Sequence, residues 1–256
     1  MNRRLLYVAA ATATIALSAG LQITSAQAVV PPAGTPDLAL MALQPLDLQP
    51  GARVGIDAYL TPPQGFVAEY ESQFGAATTT GGTALEGIQM QVLLANSPAG
   101  AKGFFTILRR IYGSKSGRAL LAAAIAHSAG KGASVKPGNV HFGKLRSIGL
   151  GQQSVLEPIT IRVKSITNRV KARTLAADIV VVRIDGVVVN LTVAALNPTL
   201  APSVTTGLAT AVVAHITAVL AASGSTGASG STGATGSTAA TGYTGVTGAT
   251  GATTQY

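Results

Sequence analysis

Apolar and polar side chains alternate with a period of two from Arg53 to Leu60. Val54, Ile56, Ala58 and Leu60 fall on one side and Arg53, Asp57 and Tyr59 on the other, the pattern of a half-buried strand. Phe66 to Phe74 is expected to return beside it after the punctuation of Pro62, Pro63 and Gly65, and a Thr/Gly cluster from Thr78 to Thr83 precedes a third strand, Leu85 to Leu94. The period then lengthens. Ser97-Pro98 is a helix start, because Ser accepts a backbone N–H at the cap and Pro fits a first turn where its missing donor costs nothing. Ala101, Phe104, Phe105, Leu108, Ile111 and Tyr112 recur at helical spacing, with Lys102, Arg109 and Arg110 largely off that stripe. A second helix is expected from about Arg118 to Ser128, stopped at Gly130.

Strand chemistry resumes from Asn139 to Ala194, where Ile159, Ile161 and Val163 alternate with Thr160, Arg162 and Lys164 as in a sheet with one wet face. The β-branched runs Ile179 to Ile184 and Val187 to Val193 flank Asp185-Gly186, which suits a type I′ hairpin turn. Ser203 is the expected cap of a last helix to about Leu220, with Val204, Leu208, Ala211, Val212, His215, Ile216 and Val219 along one stripe. The fold class is therefore α+β, an antiparallel sheet with helices packed on it in the order β-β-β-α-α-β-β-β-β-α.

The ends differ from this middle. Arg3 and Arg4 precede the apolar run Leu5 to Leu17, and Ala26-Gln27-Ala28 supplies a small-x-small cleavage site, so residues 1–28 read as a signal peptide of the general secretory route. Residues 29–36, with Pro31, Pro32 and Pro36, read as an extended leader, 37–222 as one α+β domain, and 223–256 as a low-complexity tail. In the tail, glycine recurs every third residue from Gly224 to Gly236, lapses at Ala239 and resumes from Gly242 to Gly251, nearly always after Thr. That period is the one a collagen triple helix demands, since only glycine fits its axis. The absence of proline and the lapse at Ala239 leave a flexible Gly/Ser/Thr stalk open beside a homotrimer, and the threonines are candidate sugar acceptors in either case.

Composition narrows the chemistry. No cysteine is present, which excludes disulfides, thiolate metal sites and a lipoprotein's acylated cysteine, and the lack of Trp implies an aliphatic core. His127, His141 and His215 have no metal spacing, and His215 falls on an apolar stripe as a packed, hydrogen-bonded core residue would. No Gly-x-Ser-x-Gly elbow or P-loop occurs, and Gly149-Leu150-Gly151 lacks the later glycine and the helix of a phosphate cradle. Glu69 and Glu71 share one strand face; the pair is the sole basis for a wall-glycan hydrolase, and the simpler reading is an exposed, solvated face. Asn190-Leu191-Thr192 matches a glycosylation acceptor but lies within an expected strand. No catalytic residue, cofactor or metal is expected, and the chain is read as no enzyme.

Charge is the better clue. Without its first 28 residues the chain has 16 basic and 9 acidic side chains, a formal charge of +7, and 15 of the bases lie between Lys102 and Arg183, among them Lys115 and Arg118. Arg109, Arg110, Arg162, Lys164, Arg169, Lys171 and Arg173 are the candidate contacts of a cationic face for anionic wall polymers or a membrane surface. Nucleic acid is not an expected partner, because no aromatic residues interleave with these bases for stacking.

Asp37-Leu38-Ala39-Leu40 through Asp47-Leu48-Gln49-Pro50-Gly51, the Phe66 to Phe74 segment, Gln91-Val92-Leu93-Leu94 before a helix, and Ile148-Gly149-Leu150-Gly151-Gln152-Gln153-Ser154 before a hairpin resemble exported actinobacterial domains of unknown function. Those are similar to PsbP-like lipoproteins and to the extracellular sensor domains of actinobacterial serine/threonine kinases. The resemblance spans Asp37 to Ala222 and rests on element order. It implies an antiparallel sheet with flanking helices, a Gram-positive envelope setting, and a binding or sensing role, with no functional residue carried over. The chain departs from it in lacking a kinase and a lipobox cysteine. A secreted or wall-associated, non-enzymatic binding module is the resulting expectation, with a surface protein on a trimeric stalk as the alternative.

Overall fold

Ser97 begins the helical layer as its sequence requires: its Oγ accepts the amide of Gly100 at 3.1 Å, and Pro98 occupies the first turn. The computed structural model of the chain describes residues 29–48, 52–78, 84–128, 133–165, 173–196 and 200–227. Along these run α1 (Leu38–Met41), β1 (Arg53–Leu60), β2 (Phe66–Thr78), β3 (Ala84–Ala95), α2 (Pro98–Gly113), α3 (Lys115–Ser128), β4 (Ala133–Ser134), β5 (Val140–Phe142), β6 (Gln153–Ser165), β7 (Arg173–Ile184), β8 (Val187–Leu196) and α4 (Pro202–Gly227). The expected signal peptide, the stop at Gly130 and the tail beyond Gly227 lie outside the described residues.

The sheet is antiparallel throughout, in the order β1-β2-β3-β8-β7-β6-β4, with β5 also paired to β6. The β7–β8 hairpin closes at Asp185-Gly186 as expected, but only Asp185, with φ of +49°, takes a positive dihedral and Gly186 does not, so the turn is not the type I′ that the dipeptide suggested. Gln152 clamps that turn, donating to Asp185 Oδ1 at 2.6 Å and accepting from the Asp185 amide at 3.1 Å.

Helices cover both faces. Val180, Val189, Leu191 and Val193 pack with Met41, Leu208, Val212 and Ile216 under α1 and α4. Ile159, Ile161, Ile179, Val181 and Val188 pack with Phe105, Leu108, Leu121 and Ile125 under α2 and α3. Alternate residues of β7 thus enter different cores, and the strand reads as an unbroken apolar run. By length and composition α4 could cross a membrane, yet Leu208, Ala209, Val212 and Ile216 are buried against the domain. Thr205 donates to the buried Asp178 at 2.8 Å, and His215 Nδ1 donates to the Ala42 carbonyl at 2.9 Å, which makes it the tied-down histidine its stripe implied.

Several boundaries differ from expectation. The alternation in β1 crosses a bulge between Val54 and Asp57, which moves the inward face from even to odd positions. Tyr59 therefore meets Tyr70 edge-on at 5.1 Å and donates to Asp37, while Val54 is 48% exposed. Helix α3 begins at Lys115, earlier than Arg118, because Ser114 Oγ accepts the Gly117 amide at 3.1 Å. The α2–α3 corner also demands Gly117, where a Cβ would stand 2.2 Å from the Ile111 carbonyl oxygen. Helix α4 starts at Pro202, placing Ser203 inside the first turn instead of at the cap, and runs through Gly224 to Gly227.

Leu156 is fully buried and packs between α4-side neighbours, so Leu156→Ala is expected to lower stability by roughly 2–5 kcal/mol in urea unfolding. Leu120→Ala, at a side chain 48% exposed, is expected to change it by no more than about 0.5 kcal/mol.

Candidate functional site

Helix α2 divides its face of the sheet into two clefts of opposite character. Gly100, Gly103, Phe104 and Ile107 form a stripe at i, i+3, i+4 and i+7 on the side toward β2 and β3, whereas Phe105 and Arg109 face β6.

The first cleft has a volume of about 310 Å³ and is walled by Phe66, Leu93, Phe104 and Ile107, with Gln64 and Gln91 as the polar side chains among its lining residues. Phe66 and Phe104 meet edge to face at 4.9 Å. Two helical glycines keep the opposite wall low: a Cβ at Gly103 would meet nothing within 4 Å, and one at Gly100 would meet Ser97 Oγ at 3.3 Å. Glycine in a helix interior costs about 1 kcal/mol relative to alanine, so the opening is held against local propensity.

Behind Gln91 lies a polar patch spread over three strands. Gln91 Nε2 donates to Glu69 Oε1 at 2.5 Å, Gln73 Nε2 donates to Glu71 Oε1 at 2.7 Å, and Gln89 Nε2 donates to the same Glu71 oxygen. Register places Gln91 between Glu71 and Asn190, and Gln89 between Gln73 and Thr192. Glu69 is 2% exposed, and its Oε2 has no hydrogen-bond partner among the described residues. Burial is the main force that lifts its carboxyl to about 7, with the negative Glu71 adding and the Gln91 amide opposing. The expectation of a wet carboxylate pair at Glu69 and Glu71 is thereby corrected: long glutamine side chains from the neighbouring strand close over the Glu69 position. Asn190 is 7% exposed within β8, so the acceptor match there presents a buried amide.

The second cleft, about 280 Å³, is lined by Phe105, Arg109, Leu145, Arg146, Ser147 and the β6 residues Gln153, Ser154 and Val155, together with Gln152. Its rim is the loop before β6, folded back so that Arg146 and Leu156 exchange backbone hydrogen bonds at 2.8 and 3.0 Å. Gly149 and Gly151 turn this loop with φ of +70° and +58°. A Cβ at Gly151 would also lie 2.9 Å from the Arg183 carbonyl, so the glycine pair serves a backbone crossing instead of a phosphate cradle. Arg183 Nε donates to Gln153 at 2.8 Å behind the cleft. Among the described residues no carboxylate lies within ion-pair distance of Arg109, Arg110 or Arg146, and Arg109 and Arg146 are exposed.

The sequence candidates separate. Arg109 and Arg110 are exposed on α2, while Arg162 is exposed on β6 beside the buried, inward Ile161, so its side chain belongs to the α4 face. Those three do not share one surface. Lys164 and Arg173 stand in β6 and β7 with side chains that are not described, and Arg169 and Lys171 lie outside the described residues. Arg118, counted in the basic run, is internal: it pairs with the fully buried Glu157 at 2.8 Å, donates to the Tyr112 carbonyl at 2.6 Å and lies over the Phe142 ring. Burial raises Glu157 to about 7 despite the opposing Arg118 charge. Among the described residues no three His, Asp or Glu side chains converge as a metal site. Sequence reasoning missed Arg146, Gln91 and the two α2 glycines; the recurrence of Gly100, Gly103 and Ile107 on one helical stripe was the available signal.

No protein-family model matches the chain, and no curated protein does. Among solved structures, the extracellular domain of PknH from Mycobacterium tuberculosis is similar over 72% of this chain and 93% of its own, at 10% identity and a TM-score of 0.39. Neither cleft is assigned through it.

Gly103→Ala is expected to raise stability by about 0.5–1 kcal/mol, measured by thermal or urea unfolding, because the helix gains propensity and the methyl meets open space. Glu69 and Glu157 both titrate near 7 folded against 4.5 in the open chain. The folded state then holds more protons between those values, and stability is expected to fall as pH rises from about 4.5 to about 7. Urea midpoints across that range check the sign, and Glu69→Gln is expected to flatten the dependence.

Proposed function

We propose that this chain is an exported, non-enzymatic binding module that holds anionic polymer of the cell envelope through the cleft of Arg109 and Arg146. The observation that supports this most is the way the sheet order sorts charge. Asp57, Glu69, Glu71 and Glu86 lie on β1 to β3 at one edge, and Asp37 and Asp47 flank α1 beside that edge. Lys115 and Arg118 lie on α3, Lys136, Lys144 and Arg146 on the connections beside β5 and β6, and Arg162 on β6, at the other. On that far side Glu157 pairs with Arg118 and the buried Asp178 feels the Arg146 charge, while Arg109, Arg110, Lys115, Lys136, Lys144 and Arg162 are exposed.

A cleft lined by the exposed residues Arg109 and Arg146, with the exposed Ser147 beside them, suits a phosphate or carboxylate repeated along a flexible polymer. Arginine matches such oxyanions with paired donors, and attraction between the two is screened by salt.

Retention of the purified chain from Val29 onward on isolated cell walls tests the reading. Retention at low salt, its loss at high salt, and a severalfold decrease in Arg109→Glu/Arg146→Glu are the expected results. Arg162→Glu, outside this cleft, is expected to have the smaller effect. No retention at either salt, or equal loss from both variants, would overturn the assignment to this cleft.

A further inference from the structure

We propose that the cleft between α2 and the β2–β3 pair is a second, independent site for a small amphipathic molecule, whose apolar body lies among Phe66, Phe104 and Ile107 and whose hydrogen-bond-donating head, an amine, meets Gln91. Three observations carry this. The cleft encloses about 310 Å³ and none of its lining residues is charged. At the ~30 Å³ that one water-sized group occupies in a liquid, about ten non-hydrogen atoms fill it. Its openness is built in, because Gly100 and Gly103 stand where any larger side chain on the i, i+3 stripe would project into it.

The head group follows from the amide behind the wall. Gln91 lines the cleft, and its nitrogen is already committed to Glu69 Oε1 at 2.5 Å. The carbonyl oxygen of that amide remains as an acceptor, beside the second N–H of the same nitrogen. Glu69 contributes a further acceptor, Oε2, buried and without a partner among the described residues. Every unsatisfied oxygen in this part of the patch, including those of Gln89, Asn190 and Thr192, seeks a donor as well or can accept one. A carboxylate or phosphate head would be set against the carboxyl groups of Glu69 and Glu71 behind the wall, whereas an amine supplies N–H groups to the Gln91 carbonyl and a positive charge on the side of those acids. Glu69 is a positioning residue here, since it fixes which end of the Gln91 amide faces the cleft.

Octylamine, octan-1-ol and octanoate, of about ten non-hydrogen atoms each, are the probes, titrated into the full chain from Val29 at near-neutral pH by calorimetry and by NMR of the Ile107 methyl groups and the Phe66 and Phe104 rings. One octylamine is expected to bind per chain, about tenfold or more tightly than octanoate, with octan-1-ol between them. Gly103→Leu is expected to abolish binding while leaving thermal unfolding unchanged or higher, because the position is open. Ile107→Lys, at a side chain 44% exposed, is a second block that does not depend on the helix glycine. Glu69→Gln is expected to remove the preference for octylamine over octanoate while octan-1-ol still binds. The proposal is overturned by any of four results: no probe binds, octanoate binds as well as octylamine, both blocking variants bind normally, or sedimentation shows a dimer that Gly103→Leu dissociates, in which case a second copy covers the cleft. Since neither cationic variant touches this site, loss of wall retention in Arg109→Glu/Arg146→Glu with octylamine binding intact separates the two assignments.

Discussion

The pairing of β3 with β8 is the interaction on which the rest depends. Gly87 to Leu94 lie opposite Ala194 to Val187, so the first strands and the last join at the middle of the sheet across about a hundred residues of intervening chain. This seam puts β1 and β2 at one edge and β6 with β4 at the other. It also forces the connection from β3 to travel over a face before the next strands are laid down, and that connection is α2 and α3. Both clefts and the separation of acidic from basic residues follow from this one long-range closure. Such non-local pairing is entropically demanding and belongs to the slow end of folding rates.

The two cores on either side of the seam are not equivalent. Beneath α4 the sheet is aliphatic across its centre, and Asp178 is the buried acid, answered by Thr205. Beneath α2 the aliphatic packing stops short of β2 and β3, and glutamines and glutamates take its place. Burial is why Glu69 resists ionisation, and the neutral Gln91 amide offsets only part of it. On the β6 side, Glu157 has a guanidinium partner, and even there burial prevails.

The element order was legible because its signals are local. Ser97-Pro98, Asp185-Gly186 and the β-branched runs around that turn each act within a few residues, and their physics is indifferent to what lies across the fold. What escaped was decided by partners distant in sequence. The bulge in β1 matters because Phe74 and Ser72 are its neighbours, and Arg118 leaves the surface because Glu157 waits on β6. Glu69 looked solvated because alternation shows which face a residue takes but not whether glutamines from the next strand cover it. The basic run likewise distributed itself over two faces, since Arg162 follows the pleat of β6 while Arg109 follows the turn of α2.

Helix α4 lies on the layer opposite α2. The chain therefore leaves the domain at Gly227 from the side away from both clefts, and anything that tethered it through that end would grip its back. A tether there would leave the α2 layer turned outward, with its acidic-edge and basic-edge recesses open at the same time and reachable without moving the attachment.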